Sequence, residues 1–188
     1  MDSNTDAGLI RIVLILGNAS PAIVSLINVI FVFVGVVFIS SGIKGFYDLN
    51  QYGTYSSGGY AHKSSGGLIW RIGIGAILTA LPFTLGVFGN SLFGTGEQNG
   101  PLTYAPGGAS ALQKAILEAI FNLFAIAGYI SFGHGWISLN AAKSGQNQMT
   151  WRAPAVWMIA GVCLIYLPQV LDVMAKLTGL NVMNFLLF

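Results

Sequence analysis

A chain of 188 residues with only 7% charged residues and a mean hydropathy of +0.72 lacks the roughly 25% charge that keeps a water-soluble domain dissolved. Lipid is its natural solvent. A formal net charge of +2 with no basic cluster gives no footprint for direct nucleic-acid binding, and the single Cys163 excludes an internal disulfide.

The chain opens on an acidic, polar segment, Met1–Asp6, without the positive start of a secretory signal. The apolar residues 9–16 are too few to cross a bilayer. They read as an interfacial piece or an extension of the first helix, within an N-terminal segment 1–21. A span needs about 20 apolar residues, because a helix rises about 1.5 Å per residue through a core of about 30 Å. Four stretches meet that length: 22–43, 68–88, 115–139 and 153–173. The expected fold is an all-α membrane protein of about four transmembrane helices, arranged as two tandem hairpins in one membrane domain covering 1–188.

The first span holds fifteen Val, Ile, Leu or Phe residues, worth at most about 5–9 kcal/mol of insertion. Ser20–Pro21 reads as its N-cap and first helical position. In the second span Arg71 belongs near an end, since a charge at the centre costs about 2.5–3.5 kcal/mol, and Pro82 is expected to kink the outer half. In the third, Lys114 and Glu118 are spaced for an i,i+4 pair. Cys163 lies in the fourth.

The loops at 44–67 and 140–152 carry Lys44, Lys63, Arg71, Lys143 and Arg152 in or beside them, against Asp48. The other side carries Arg11, Lys114 and Lys176 against five acids: Asp2, Asp6, Glu97, Glu118 and Asp172. The positive-inside rule then places the hairpin loops in the cytoplasm and both termini outside. Trp70, Trp151 and Trp157 fit an aromatic belt at the cytoplasmic boundary. The first loop is rich in Gly, Ser and Tyr (Tyr47, Tyr52, Tyr55, Tyr60) and reads as a linker or a contact surface. The middle loop, about 89–114, has turn chemistry at Asn99–Gly100–Pro101 and Pro106–Gly107–Gly108.

The halves share features that suggest a duplication. Gly35 and Gly42 answer Gly128 and Gly135. Trp70–Arg71 answers Trp151–Arg152. Leu81–Pro82 answers Leu167–Pro168, at unequal distances from the arginines. The competing reading is that glycines and boundary tryptophans recur in any membrane helix. Glycines seven apart share a helix face and let a second backbone approach. Gly35, Gly42, Gly73, Gly75, Gly128 and Gly135 are therefore the candidates for helix packing, either inside one bundle or against a neighbouring subunit.

No catalytic set is visible. His62 and His134 have no His, Cys or carboxylate at metal spacing, no Ser–His–acid set is assignable, and Gly73 and Gly75 follow no strand that would make a nucleotide loop. No cofactor or metal is expected. Asn28, Asn122 and His134 are the polar groups available for a path across the membrane.

A small glycine-rich protein of tandem membrane hairpins, with these glycine pairs, Trp–Arg dipeptides and prolines between about Ala22 and Val173, resembles the inner-membrane proteins of type IVB secretion systems: the IcmC/DotE and DotV group and the related conjugation protein TraQ. The resemblance rests on general character and brings no catalytic residues with it. It implies a bacterial inner-membrane subunit, both termini periplasmic, that oligomerises with other membrane subunits of a secretion or conjugation complex and contributes helices to a channel or base. The alternative reading is a small stand-alone transporter or ion channel.

Overall fold

A computed structural model describes residues 3–52, 65–93, 111–143 and 150–179. Among them the only regular secondary structure is helix. The elements are α1 (Ser3–Tyr52), α2 (Ser65–Thr79), α3 (Leu81–Phe93), α4 (Ala111–Lys143), α5 (Arg152–Ile165) and α6 (Leu167–Thr178). Two helices are long and apolar enough to cross a membrane by themselves, within Leu14–Gln51 and Ala115–Lys143. The pairs α2 with α3 and α5 with α6 would supply two more, each as a broken span. The chain is thus an all-α protein with two to four candidate spans.

The first helix departs from expectation at both ends. Ser20–Pro21 does not start it, because α1 runs unbroken from Ser3 through an internal Pro21. The apolar residues 9–16 extend this helix. Proline removes the bond to the carbonyl four residues back, here that of Gly17, and costs a single rung of a long ladder. At the other end α1 continues to Tyr52, so residues 44–52 are helix where the sequence reading placed loop. Fifty residues measure about 75 Å along the helical path.

The second and fourth stretches are not continuous helices. After Thr79 the chain turns by 84°, and after Ile165 by 87°. Pro82 and Pro168 stand at the second position of the helix that follows. Neither can donate to Leu78 or Leu164, while the flanking bonds survive: Ala80 N–H to Ala76 O at 3.0 Å and Thr84 N–H to Ala80 O at 2.9 Å, then Tyr166 N–H to Val162 O and Val170 N–H to Tyr166 O, both 3.0 Å. The expected kink at Pro82 is therefore a full break. Thr79 also turns its hydroxyl back onto Gly75 O at 2.9 Å, a bond that bends helices locally. At the far end of α6, Gly179 takes φ 70° and donates to Ala175 O at 2.9 Å, the left-handed cap that favours glycine.

The chain folds as two compact units that share the long helices. One draws on Met1–Ser25, Gly86–Tyr129 and Gly161–Phe188, the other on Leu26–Leu85 and Ile130–Ala160. The first unit buries Leu117, Ala119, Phe121, Ala125, Tyr129, Val162, Ile165 and Tyr166. There Gly17 meets Ala119, and Gly89 meets the Tyr166 ring. The second unit buries Phe31, Leu68, Ile74, Leu78, Leu81, Leu85 and Phe132, with Gly133 against Phe31 and Gly45 against Leu68.

Along α1 the shielded positions are Gly17, Ser20, Val24, Asn28, Phe31, Gly35, Phe38, Gly42 and Gly45, all buried or half-buried. They advance by threes and fours, the spacing that keeps one seam against neighbouring helices. The open positions are mostly apolar: Leu26, Val29, Ile30, Phe33, Val36, Val37 and Ile43 are exposed, with Ser25 and Ser40 among them. In water such a face would drive aggregation. In lipid it needs no cover.

Candidate functional surfaces

The six glycines picked from the sequence do not behave alike. In α1 and α2, a Cβ on Gly35 would lie 2.6 Å from Gly75 O and 2.9 Å from Thr79 N, and one on Gly75 would lie 2.7 Å from Gly35 O. Backbone touches backbone there, the close approach that small residues permit in membranes. Gly42 meets the Ile72 side chain, with Leu68 O at 3.5 Å. In α4 and α5, a Cβ on Gly128 would lie 2.7 Å from Gly161 O and 2.8 Å from Ile165 N. One on Gly135 would lie 2.6 Å from Met158 Cγ and 3.1 Å from Pro154 O. Gly73 faces open space with nothing within 4 Å. So five of the six are filled by contacts within the chain, and Gly73 is the one left free. Sequence reasoning passed over Gly17, Gly45, Gly89 and Gly161. The regular spacing of Gly17, Val24, Phe31, Phe38 and Gly45, seven apart, was the signal that pointed to two of them.

The contacting residues of the two halves share a numerical spacing. Moving 93 positions along takes Gly35 to Gly128 and Gly42 to Gly135. Moving 86 takes Leu68, Ile72, Gly75 and Thr79 to Pro154, Met158, Gly161 and Ile165, the partners those two glycines meet. The same 86 takes Leu81–Pro82 to Leu167–Pro168 and the break at Ala80 to the break at Tyr166. The Trp–Arg dipeptides are not part of this register. Trp70–Arg71 falls opposite Val156–Trp157, while Trp151–Arg152 lies at the very start of α5.

The polar candidates have different surroundings. Asn28 is half-buried in the second unit, and its side-chain oxygen has no hydrogen-bond partner. His134, in the same unit, is exposed. Its Nδ1 lies 3.4 Å from the Ser138 hydroxyl, and its ring meets Trp157 edge-on at 5.5 Å between centroids. Asn122 is half-buried and belongs to the first unit. His62 lies outside the described residues. No group of three His, Cys, Asp or Glu side chains fit to hold a metal occurs among the described residues.

The basic residues use aromatic rings. The Arg71 guanidinium lies 5.6 Å from the centre of the Phe38 ring, and Lys143 Nζ lies 5.6 Å from that of Trp70. Such contacts suit cations at a membrane edge, where the stem stays in apolar surroundings and the head reaches polar ones. Near Lys143 on the same face of α4, Trp136 Nε1 and Asn140 Oδ1 are buried without a hydrogen-bond partner, as is Arg71 Nε on α2. Trp151 and Trp157 are exposed. Glu118 is exposed, and the side chain of its expected partner Lys114 lies outside the described residues. Asp172 pairs with Lys176 at 2.8 Å on the surface of α6. Of the loop tyrosines, Tyr47 is an exposed residue of α1, and Tyr55 and Tyr60 fall outside the described residues.

Comparison with known protein families, with curated proteins and with solved structures gave no match.

Proposed function

We propose that the chain is a non-enzymatic, multi-pass inner-membrane subunit of a bacterial secretion or conjugation machine of the type IVB kind, contributing helices to a channel or assembly base. The observation that carries this reading is α1. Its length of about 75 Å is more than twice the thickness of a hydrocarbon core. It commits one small-residue seam to the fold and leaves a long apolar face exposed. A helix of that form provides lipid contact and a rigid element for other membrane subunits. The charge balance of the loops supports cytoplasmic hairpins and periplasmic termini.

Native mass spectrometry and electron microscopy of the protein, extracted gently into nanodiscs, test the proposal. A large complex with other membrane subunits is the expected result. A lone monomer or dimer would overturn it in favour of the second reading, a small stand-alone channel or transporter. What favours that reading is the unpartnered side-chain oxygen of Asn28 within the first span.

A further inference from the structure

We propose that α6 is not the outer end of a span but an in-plane helix, seated at the membrane boundary with its Val173–Met174–Leu177 ridge among lipid acyl chains. The inference rests on the reading of α5 as a membrane-crossing helix and on no part of the secretion reading.

Three observations carry it. The first is direction. A helix turned 87° from α5 lies in the plane of any bilayer that α5 crosses upright. The second is depth. The fourteen residues of α5 rise about 21 Å, which leaves about 9 Å of a 30 Å hydrocarbon core beyond its end. In-plane amphipathic helices bury their apolar face about 5–10 Å into the boundary between headgroups and acyl chains, so a helix that begins in this outer part of the core can keep its apolar face among acyl chains while its other side turns toward the headgroups.

The third is chemistry. Gln169, Asp172 and Lys176 fall on one side of α6, and the Asp172–Lys176 ion pair is open to the surroundings. Val173, Met174 and Leu177 project from an adjacent side, and Leu177, 81% exposed, is the most exposed of the large hydrophobic residues described. Two charges carried deep into lipid are costly even when paired. At the boundary they remain solvated while the ridge stays in hydrocarbon.

The corresponding helix of the first half sharpens the assignment. α3 follows an 84° bend but has no charged residue, and it exposes Phe83, Val87, Phe88 and Leu92. It lacks the charged edge that would hold a helix at the headgroups. The two halves share a break, and only α6 is marked for the boundary.

Nitroxide labels placed singly at Val173, Leu177, Asp172 and Lys176 test this in the full chain reconstituted in phospholipid vesicles, with Cys163→Ser as background. Phe33, exposed on α1, serves as the lipid-facing control. Collision with oxygen reports hydrocarbon, and collision with a water-soluble nickel chelate reports solvent. The expected result is oxygen-dominated collision at Val173 and Leu177, shallower than at Phe33, and nickel-dominated collision at Asp172 and Lys176. Oxygen-dominated collision at all four α6 positions would make α6 part of a span and overturn the proposal. Nickel access at Leu177, or shielding of Leu177 from both reagents, would place the ridge in water or under protein and overturn it equally. Failure at Phe33 would instead strike the membrane reading on which the proposal rests.

Discussion

Gly35 and Gly73 lie on facing helices of one hairpin, yet adding a methyl group has opposite consequences at the two sites. At Gly35 the new atom would sit 2.6 Å from a backbone oxygen. No flexible side chain can move aside, so the helices must separate. Overpacking of this kind costs about 1–3 kcal/mol. Gly35→Ala is therefore expected to lower the thermal unfolding midpoint of the detergent-solubilised protein, followed by tryptophan fluorescence. Gly73→Ala, with open space around it, is expected to match the parent or gain slightly from the better helix former. Gly128 is occupied as Gly35 is, so Gly128→Leu should destabilise the chain itself before it affects any contact with a neighbour. At Asn28 the sign reverses. Its unpartnered oxygen carries a desolvation cost of about 1–3 kcal/mol, and Asn28→Leu, branched alike though larger, should raise the same midpoint, since the half-buried site leaves room at its open side. A fall would mean that the amide has a partner in the membrane.

The bends decide what each second helix of a hairpin can do. If Pro168 is what breaks the ladder between α5 and α6, Pro168→Ala returns a donor to Leu164 O and lets the two helices join. Spin labels at Trp157 and Leu177 measure this by electron–electron distance. With a rise of 1.5 Å per residue and the 87° bend, the parent distance is about 21 Å, and a straight helix would give about 30 Å. A shift toward the longer distance is expected in the variant. An unchanged distance would assign the bend to packing around the buried Tyr166, against which Gly89 lies. Composition made the four apolar stretches legible, because crossing lipid demands apolar side chains along the whole length. It said little about direction, since a chain can turn by nearly 90° without changing its hydropathy. The likeness of the halves was legible in part for a related reason. Tryptophan and arginine are drawn to a membrane edge wherever a helix meets it, so the Trp–Arg dipeptides do not share the spacing of the contacting residues. Glycines in backbone contact are fixed by geometry, and the spacing of Leu81–Pro82 and Leu167–Pro168 has the same offset of 86 as their contact partners.

For the whole molecule the question is whether a polar path forms within a single chain. Conduction needs groups that replace an ion's or a solute's water at mid-membrane. Of the three residues that the sequence offers, His134 is exposed and engaged by Ser138 and Trp157, while Asn28 and Asn122 are each half-buried. A subunit that conducts only when assembled should be silent alone. Purified protein in liposomes is therefore expected to show no selective flux of monovalent cations, anions or protons above protein-free vesicles, measured with entrapped fluorescent reporters. The informative variant is His134→Ala. Its ring is exposed, so its removal forfeits little packing, and a fluorescence melt can verify that the fold survives. Selective flux in the parent that disappears in a folded His134→Ala protein would place a path beside α4 in the single chain and replace the subunit reading with the channel reading. Flux unaffected by His134→Ala would count against that path and direct the search to Asn28, where replacement by leucine should raise stability and abolish flux together.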